Sequence, residues 1–61
     1  MNAEQLKGRW THFKDDLKQQ WGKFTDDDLK QIEGSYKEFV GKVQERYAEE
    51  NVVLMKWATA L

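Results

Sequence analysis

The densest cluster of oxygen donors in this 61-residue chain is Asp26-Asp27-Asp28, and the first chemistry it raises is divalent-cation binding. A helix–loop–helix calcium loop spreads its ligands over twelve positions, with glycine at the sixth and glutamate at the twelfth. Counted from Asp26, those positions hold Gln31 and Lys37, so the motif fails. The run reads instead as the first turn of a helix. Thr25 supplies the N-cap hydroxyl, Asp28 the carboxylate three residues on, and the aspartates together meet the positive end of the helix dipole. His12, the sole histidine, falls well round from the nearest apolar stripe and is read as exposed; no nucleophile or orienting group accompanies it. Asp15 and Asp16 are adjacent, diverge by about 100° on a helix and form no facing carboxylate pair. Phosphate-cradling glycine loops, HExxH and GxSxG are absent, and with no cysteine there is neither a disulfide nor a thiolate metal site. The sequence reads as non-enzymatic, with no metal, no cofactor and no small-molecule substrate.

What remains is chemistry of contact. Lys7, Lys14 and Lys18 lie within about 40° of one another on a helical wheel, beside an apolar stripe. Their stems snorkel over the core edge while the ammonium groups stay wet, or they meet phosphates. Val52 and Met55 are expected to be exposed apolar residues, and with the three lysines they make up the candidate contact surface. The overall charge does not favour a dedicated nucleic-acid binder: 10 basic residues stand against 11 acidic ones. Residues 1–24 carry net +2 and residues 25–61 net −3, a mild dipole that orients a partner but adds little affinity at physiological salt. Opposite charges four apart, Asp26/Lys30 and Glu38/Lys42, add a few tenths of a kcal/mol each.

The elements that carry these groups are helical. There is no proline, and only four glycines interrupt the chain. From Ala3 to Trp21 the apolar residues fall at 6, 10, 13, 17 and 21, the period of one helix face, which predicts a single rod about 28 Å long. Phe24 and Leu29 stand where a hydrophobic staple brackets the Thr25 cap, and a short helix is expected over Asp26–Glu33, closed by a left-handed Gly34. Ser35 then caps a third helix, with Glu38 completing a second box and Tyr36, Phe39, Val40, Val43 and Tyr47 on one face. Asn51 is expected to cap a last helix with Val53, Leu54, Trp57 and Leu61 turned inward. Trp10 and Trp57 are placed in the core, the latter with interface anchoring as its alternative, and Trp21 at the core edge. Tyr36 and Tyr47 are read as half-buried packing residues. Gly22 and Gly34 fall at helix ends, but Gly8 and Gly41 sit inside helices at about 1 kcal/mol each relative to alanine. That penalty motivates a close-approach groove for a second copy or a partner. The whole is a single all-α domain over 1–61, four short helices with tight connections.

On specific residues the chain resembles the CsbD-like family of small bacterial general stress-response proteins. The residues concerned are Lys7-Gly8-Arg9-Trp10, the run Trp21-Gly22-Lys23-Phe24-Thr25-Asp26-Asp27-Asp28-Leu29, then Ile32-Glu33-Gly34 and Val40-Gly41-Lys42-Val43-Gln44-Glu45-Arg46-Tyr47. The resemblance implies a small all-α four-helix domain of two short helical hairpins packed crosswise, expression linked to general stress, a cytoplasmic setting and no established molecular activity. The chain departs from the family pattern at Ala48, where glycine is usual, and between Tyr47 and Trp57, a stretch about one turn short and unusually apolar.

Three functions follow as expectations. The leading one is a non-enzymatic stress protein acting by contact, with itself or with another macromolecule. The alternatives are a weak nucleic-acid accessory module using Lys7, Lys14 and Lys18, and a peripheral membrane protein using those lysines with Val52 and Met55. No 20-residue apolar run is present to span a bilayer.

Overall fold

In the computed structural model, which describes residues 2–60, the chain folds into helices α1 (Ala3–Gly8), α2 (Trp10–Gln20), α3 (Asp26–Ile32), α4 (Tyr36–Arg46) and α5 (Asn51–Ala60). The all-α class holds, with α1 a short leader to four substantial helices. The continuous rod expected from Ala3 to Trp21 is instead broken at Arg9, whose φ of −113° and ψ of 15° leave helical geometry. Gly8, a poor helix former, immediately precedes the break. The bend lets Leu6, Phe13 and Leu17 all reach the core while moving Trp10 off its centre line to a half-buried position. Trp57, also expected in the core, is likewise half-buried.

Capping explains most helix ends. Thr25 Oγ1 accepts from the Asp28 amide and the Asp28 carboxylate accepts from the Thr25 amide, both at 3.1 Å, so the expected box is present. A second box, between Asn2 and Gln5, starts α1 and went unrecognised in the sequence. The one expected at Ser35 is half made: its Oγ accepts from the Glu38 amide at 3.4 Å, but its own amide already donates to the Ile32 carbonyl at 2.7 Å. No donor is left for Glu38. The turn that takes that amide passes through Glu33 (φ 36°) and Gly34 (φ 84°). A Cβ on Gly34 would also lie 3.3 Å from the Lys7 Cα, so the glycine serves both the left-handed turn and the passage of α1. At Gly8 and Gly41, by contrast, a Cβ would meet nothing within 4 Å, so no close approach inside the chain accounts for either.

Helix α4 is the hub, with α1, α3 and α5 packing on it. Phe39 and Val43 are its buried residues, and Tyr47 closes its end; Tyr47 is buried rather than half-buried, deeper than expected. The last helix is turned from its expected setting. Leu54 and Ala58 are its buried residues, Met55 is half-buried against the core, and Val53 is 61% exposed. Leu54 has Val53 and Met55 about 100° to either side, and the helix rolls toward Met55. Val52 is exposed as expected, at 60%. Asn51 is the first helical residue rather than the cap, and its side-chain amide donates to the Ala48 carbonyl at 2.7 Å. Leu61 lies outside the described residues.

All eight aromatic residues form one connected network. Phe13 is its centre, with ring centroids 5.4 Å from Phe39, 5.6 Å from Trp57 and 6.4 Å from Trp10. Tyr36 joins through Phe39, and Trp57 leads on through Trp21 and Tyr47 to Phe24. Such pairs contribute about 0.5–1.5 kcal/mol each beyond the area they bury, which matters in a domain this small.

Candidate functional site

The aspartate run divides by role. Asp26 and Asp27 are exposed, whereas Asp28 is the buried charged residue of the molecule, 2% exposed. Arg46, at the end of α4, grips it through both oxygens: Nε donates to Oδ2 at 2.9 Å and an Nη to Oδ1 at 3.1 Å. Lys42 Nζ stands 3.5 Å from Oδ1 and 3.4 Å from Glu45. The Arg46 guanidinium, reinforced by the Thr25 amide and hydroxyl, holds the Asp28 carboxyl down at about 2 against the opposing effect of burial. Both carboxylate oxygens are thus engaged by the fold. Nothing in this arrangement presents a carboxylate to a metal or a substrate, and among the described residues no group of three His, Asp or Glu could hold a metal ion. Sequence spacing could not reveal this pair, because its partners lie eighteen residues apart.

The three candidate lysines separate. Lys7 lies on α1 with its backbone against Gly34, whereas Lys14 and Lys18 lie on α2 and line a groove of about 400 Å³ between α2 and α3. Lys18 Nζ donates to Asp26 Oδ1 at 2.6 Å across that groove, and Asp15 and Glu33 line it too. The contact raises the Lys18 pKa and lowers that of Asp26, in each case chiefly through the shared hydrogen bond. The expected partners of Asp26 and Glu38 are replaced accordingly: Asp26 takes Lys18, and Lys42 takes Asp28 and Glu45. Lysines and carboxylates therefore share the groove, with half-buried Trp10 and buried Leu29 as its apolar part. His12 and Asp16 are exposed elsewhere on α2.

The other candidate surface is on α5. Val52, Met55, Lys56, Thr59 and Ala60 share its outer face, at the i, i+3, i+4, i+7, i+8 spacing of a helical stripe. Lys56 is the sole charge among the ten residues of this helix. Val52 and Val53 are the large apolar side chains most open to water. Two of the five candidate contact residues, Val52 and Met55, thus stand on this outer stripe, although Met55 also reaches the core. Among the described residues no helix is long and apolar enough to cross a membrane.

A small helical domain whose aspartate run serves a helix cap and ion pairs, and in which the described residues hold no metal-binding group, is the class these features define. The CsbD-like family model matches residues 4–51, and the chain belongs to that family of small bacterial stress-response proteins. It is 54% identical over 50 residues to a UPF0337 protein of Pectobacterium atrosepticum, covering 82% of this chain and 72% of the relative. It is 48% identical to the UPF0337 protein YjbJ of Salmonella typhimurium over 65 aligned positions, covering 97% of this chain and 90% of the relative. The YjbJ of Escherichia coli K12 matches to the same degree, with 91% of its length covered. Because 65 positions are needed to align a 61-residue chain, YjbJ carries a few residues that this chain lacks. No solved structure matches the chain. The family match ends at the residue where α5 begins, so the most apolar helix lies outside it.

Proposed function

We propose that this protein is a cytoplasmic, non-catalytic stress factor that acts by contact, and that the outer face of α5 is the contact surface. The observation that carries the reading is the stripe of Val52, Met55, Thr59 and Ala60 with the single charge of Lys56 at its middle. Val52 is 60% exposed beside Val53 at 61%, in a chain that has few apolar residues to leave in water. Charge complementarity names the partner's chemistry: an apolar helix or strand edge with a carboxylate opposite Lys56. A second copy docked through the same stripe would bring Lys56 against Lys56, which disfavours that occupant. The α2–α3 groove is lined by Asp15, Asp26 and Glu33 as well as by its lysines, so the positive field a phosphate backbone needs is weak there.

The test uses Val52→Asp/Val53→Asp in place of the native chain in a deletion strain. Both side chains are solvent-exposed, so the melting temperature is expected to stay within a few degrees of the parent. Stress survival is expected to fall to the level of the deletion. Full protection by a folded double variant would refute the α5 contact. Loss of protection on Lys14→Glu/Lys18→Glu, with salt-sensitive binding of the parent to duplex DNA, would favour the nucleic-acid reading instead.

A further inference from the structure

Helix α5 is fastened to the molecule differently from its neighbours. Lys18 and Asp26 tie α2 to α3, and Arg46 and Lys42 tie α4 to Asp28 on α3. The Lys23 amide donates to Tyr47 Oη at 2.8 Å, tying the α2–α3 connection to the end of α4. Among the described residues no side-chain hydrogen bond or ion pair joins α5 to another helix. Asn51 donates to the adjoining turn at Ala48, and Thr59 Oγ1 donates to Met55 within α5 itself. What holds α5 is apolar contact: buried Leu54 and Ala58, and the Trp57 ring 5.6 Å from Phe13 and 6.0 Å from Trp21.

The Trp57 ring of this helix packs on half-buried Trp21, which also meets the Tyr47 ring at the end of α4. Trp21 stands between the rings of Tyr47 and Trp57, so lifting α5 removes one of the two rings enclosing it. A terminal helix held to its neighbours by apolar contacts, with no polar tie to another helix, has the features of a unit that opens below the global unfolding free energy.

We infer that α5 is a removable lid, and that the aromatic face it uncovers is a docking surface for α5 of a second copy. The fold itself names the occupant. The uncovered face is complementary to Leu54, Trp57 and Ala58, and a second copy brings the same helix in the same chemistry. Reciprocal exchange preserves the inner contacts of the lid and gives up only the turn, with its bonds from the Glu50 amide to the Tyr47 carbonyl at 3.1 Å and from the Asn51 side chain to the Ala48 carbonyl at 2.7 Å. The turn residues Ala48, Glu49 and Glu50 are exposed, and two of them are charged, so the segment is well solvated when extended. The inference concerns the inner face of α5 and stands whether or not the outer stripe has a partner.

Deleting Ala48 and Glu49 shortens the turn so that α5 cannot fold back onto its own core but can still reach a neighbour. Sedimentation equilibrium and amide hydrogen exchange are measured on the full parent chain and on the shortened one. In the parent, α5 amides are expected to exchange at least about tenfold faster than those of Phe39 and Val43 in α4. The shortened chain is expected to sediment as a dimer with its α5 amides protected. Parent α5 amides as slow as those of α4, or a folded shortened chain that stays monomeric, would overturn the inference. If circular dichroism shows the shortened chain unfolded, the parent decides. Mixed labelled and unlabelled copies at high concentration are expected to show an intermolecular Phe13–Trp57 nuclear Overhauser contact, and a parent that remains monomeric, or a dimer without that contact, overturns it.

Discussion

Replacing Asp28 with asparagine tests the ion pair that joins the start of α3 to the end of α4. Asparagine keeps the side-chain shape and can still accept from the Thr25 amide, but it removes the charge held by Arg46 at 2.9 and 3.1 Å. The carboxyl sits at about 2 in the fold against an ordinary 3.8. At about 1.4 kcal/mol per unit, that difference corresponds to roughly 2 kcal/mol of stability at neutral pH. A domain of this length has a total of only about 3–9 kcal/mol, so the melting temperature should drop by on the order of 10 °C. The sign is fixed by linkage. Because the folded value lies below the unfolded one, the contribution is complete above the unfolded pKa and is lost as pH falls through about 2. Thermal melts followed by far-UV circular dichroism, run on parent and Asp28→Asn from neutral pH down to pH near 2, should therefore converge at the acid end. Other titrating groups cancel in the difference between the two proteins. A gap that persists at the acid end would mean that the lost element is packing or capping rather than charge. No gap at neutral pH would mean that the burial penalty of Asp28 offsets its attraction to Arg46 and Lys42.

Other substitutions separate backbone from side-chain effects. Gly34→Ala must hold alanine at φ 84° with its Cβ 3.3 Å from Lys7 Cα, and should lose about 1–2 kcal/mol in urea titration. Gly8→Ala and Gly41→Ala meet nothing within 4 Å and should each gain about 0.5–1 kcal/mol. If they do so with sedimentation unchanged, neither glycine forms a groove for a second copy. Tyr47→Phe removes the acceptor of the part-buried Lys23 amide and should cost about 1 kcal/mol, with faster exchange at that amide by NMR.

What could be read from the sequence is what local rules determine. The Thr25 cap, the left-handed Gly34 and the inward Phe39 and Val43 follow from spacing alone, because each is set by neighbours within a few residues. The break at Arg9 was hidden because the apolar spacing from Leu6 to Trp21 continues smoothly across it. Only packing against α4 decides that Leu6 and Phe13 are better buried on two helix segments than on one. The setting of α5 was undetermined for a different reason. A helix apolar on nearly every side has no moment to say which side faces inward, and Val53 and Met55 flank Leu54 symmetrically. The candidate contact surface was half legible: Val52 is exposed where expected, whereas the carboxylates beside Lys14 and Lys18 come from α2 and α3 jointly and required the fold.

The joined aromatic rings determine how the molecule reports on itself to light. Trp10, Trp21 and Trp57 are linked through Phe13 and by direct contact of the last two, at 6.0 Å. The Trp21 and Trp57 indoles are neighbours, so a movement of either ring changes the surroundings in which the other emits. A quenched or shifted signal signals that the set has been disturbed without saying where. Because Trp57 belongs to α5 and packs against Phe13 and Trp21, displacement of that helix alone changes the emission while α4 stays folded.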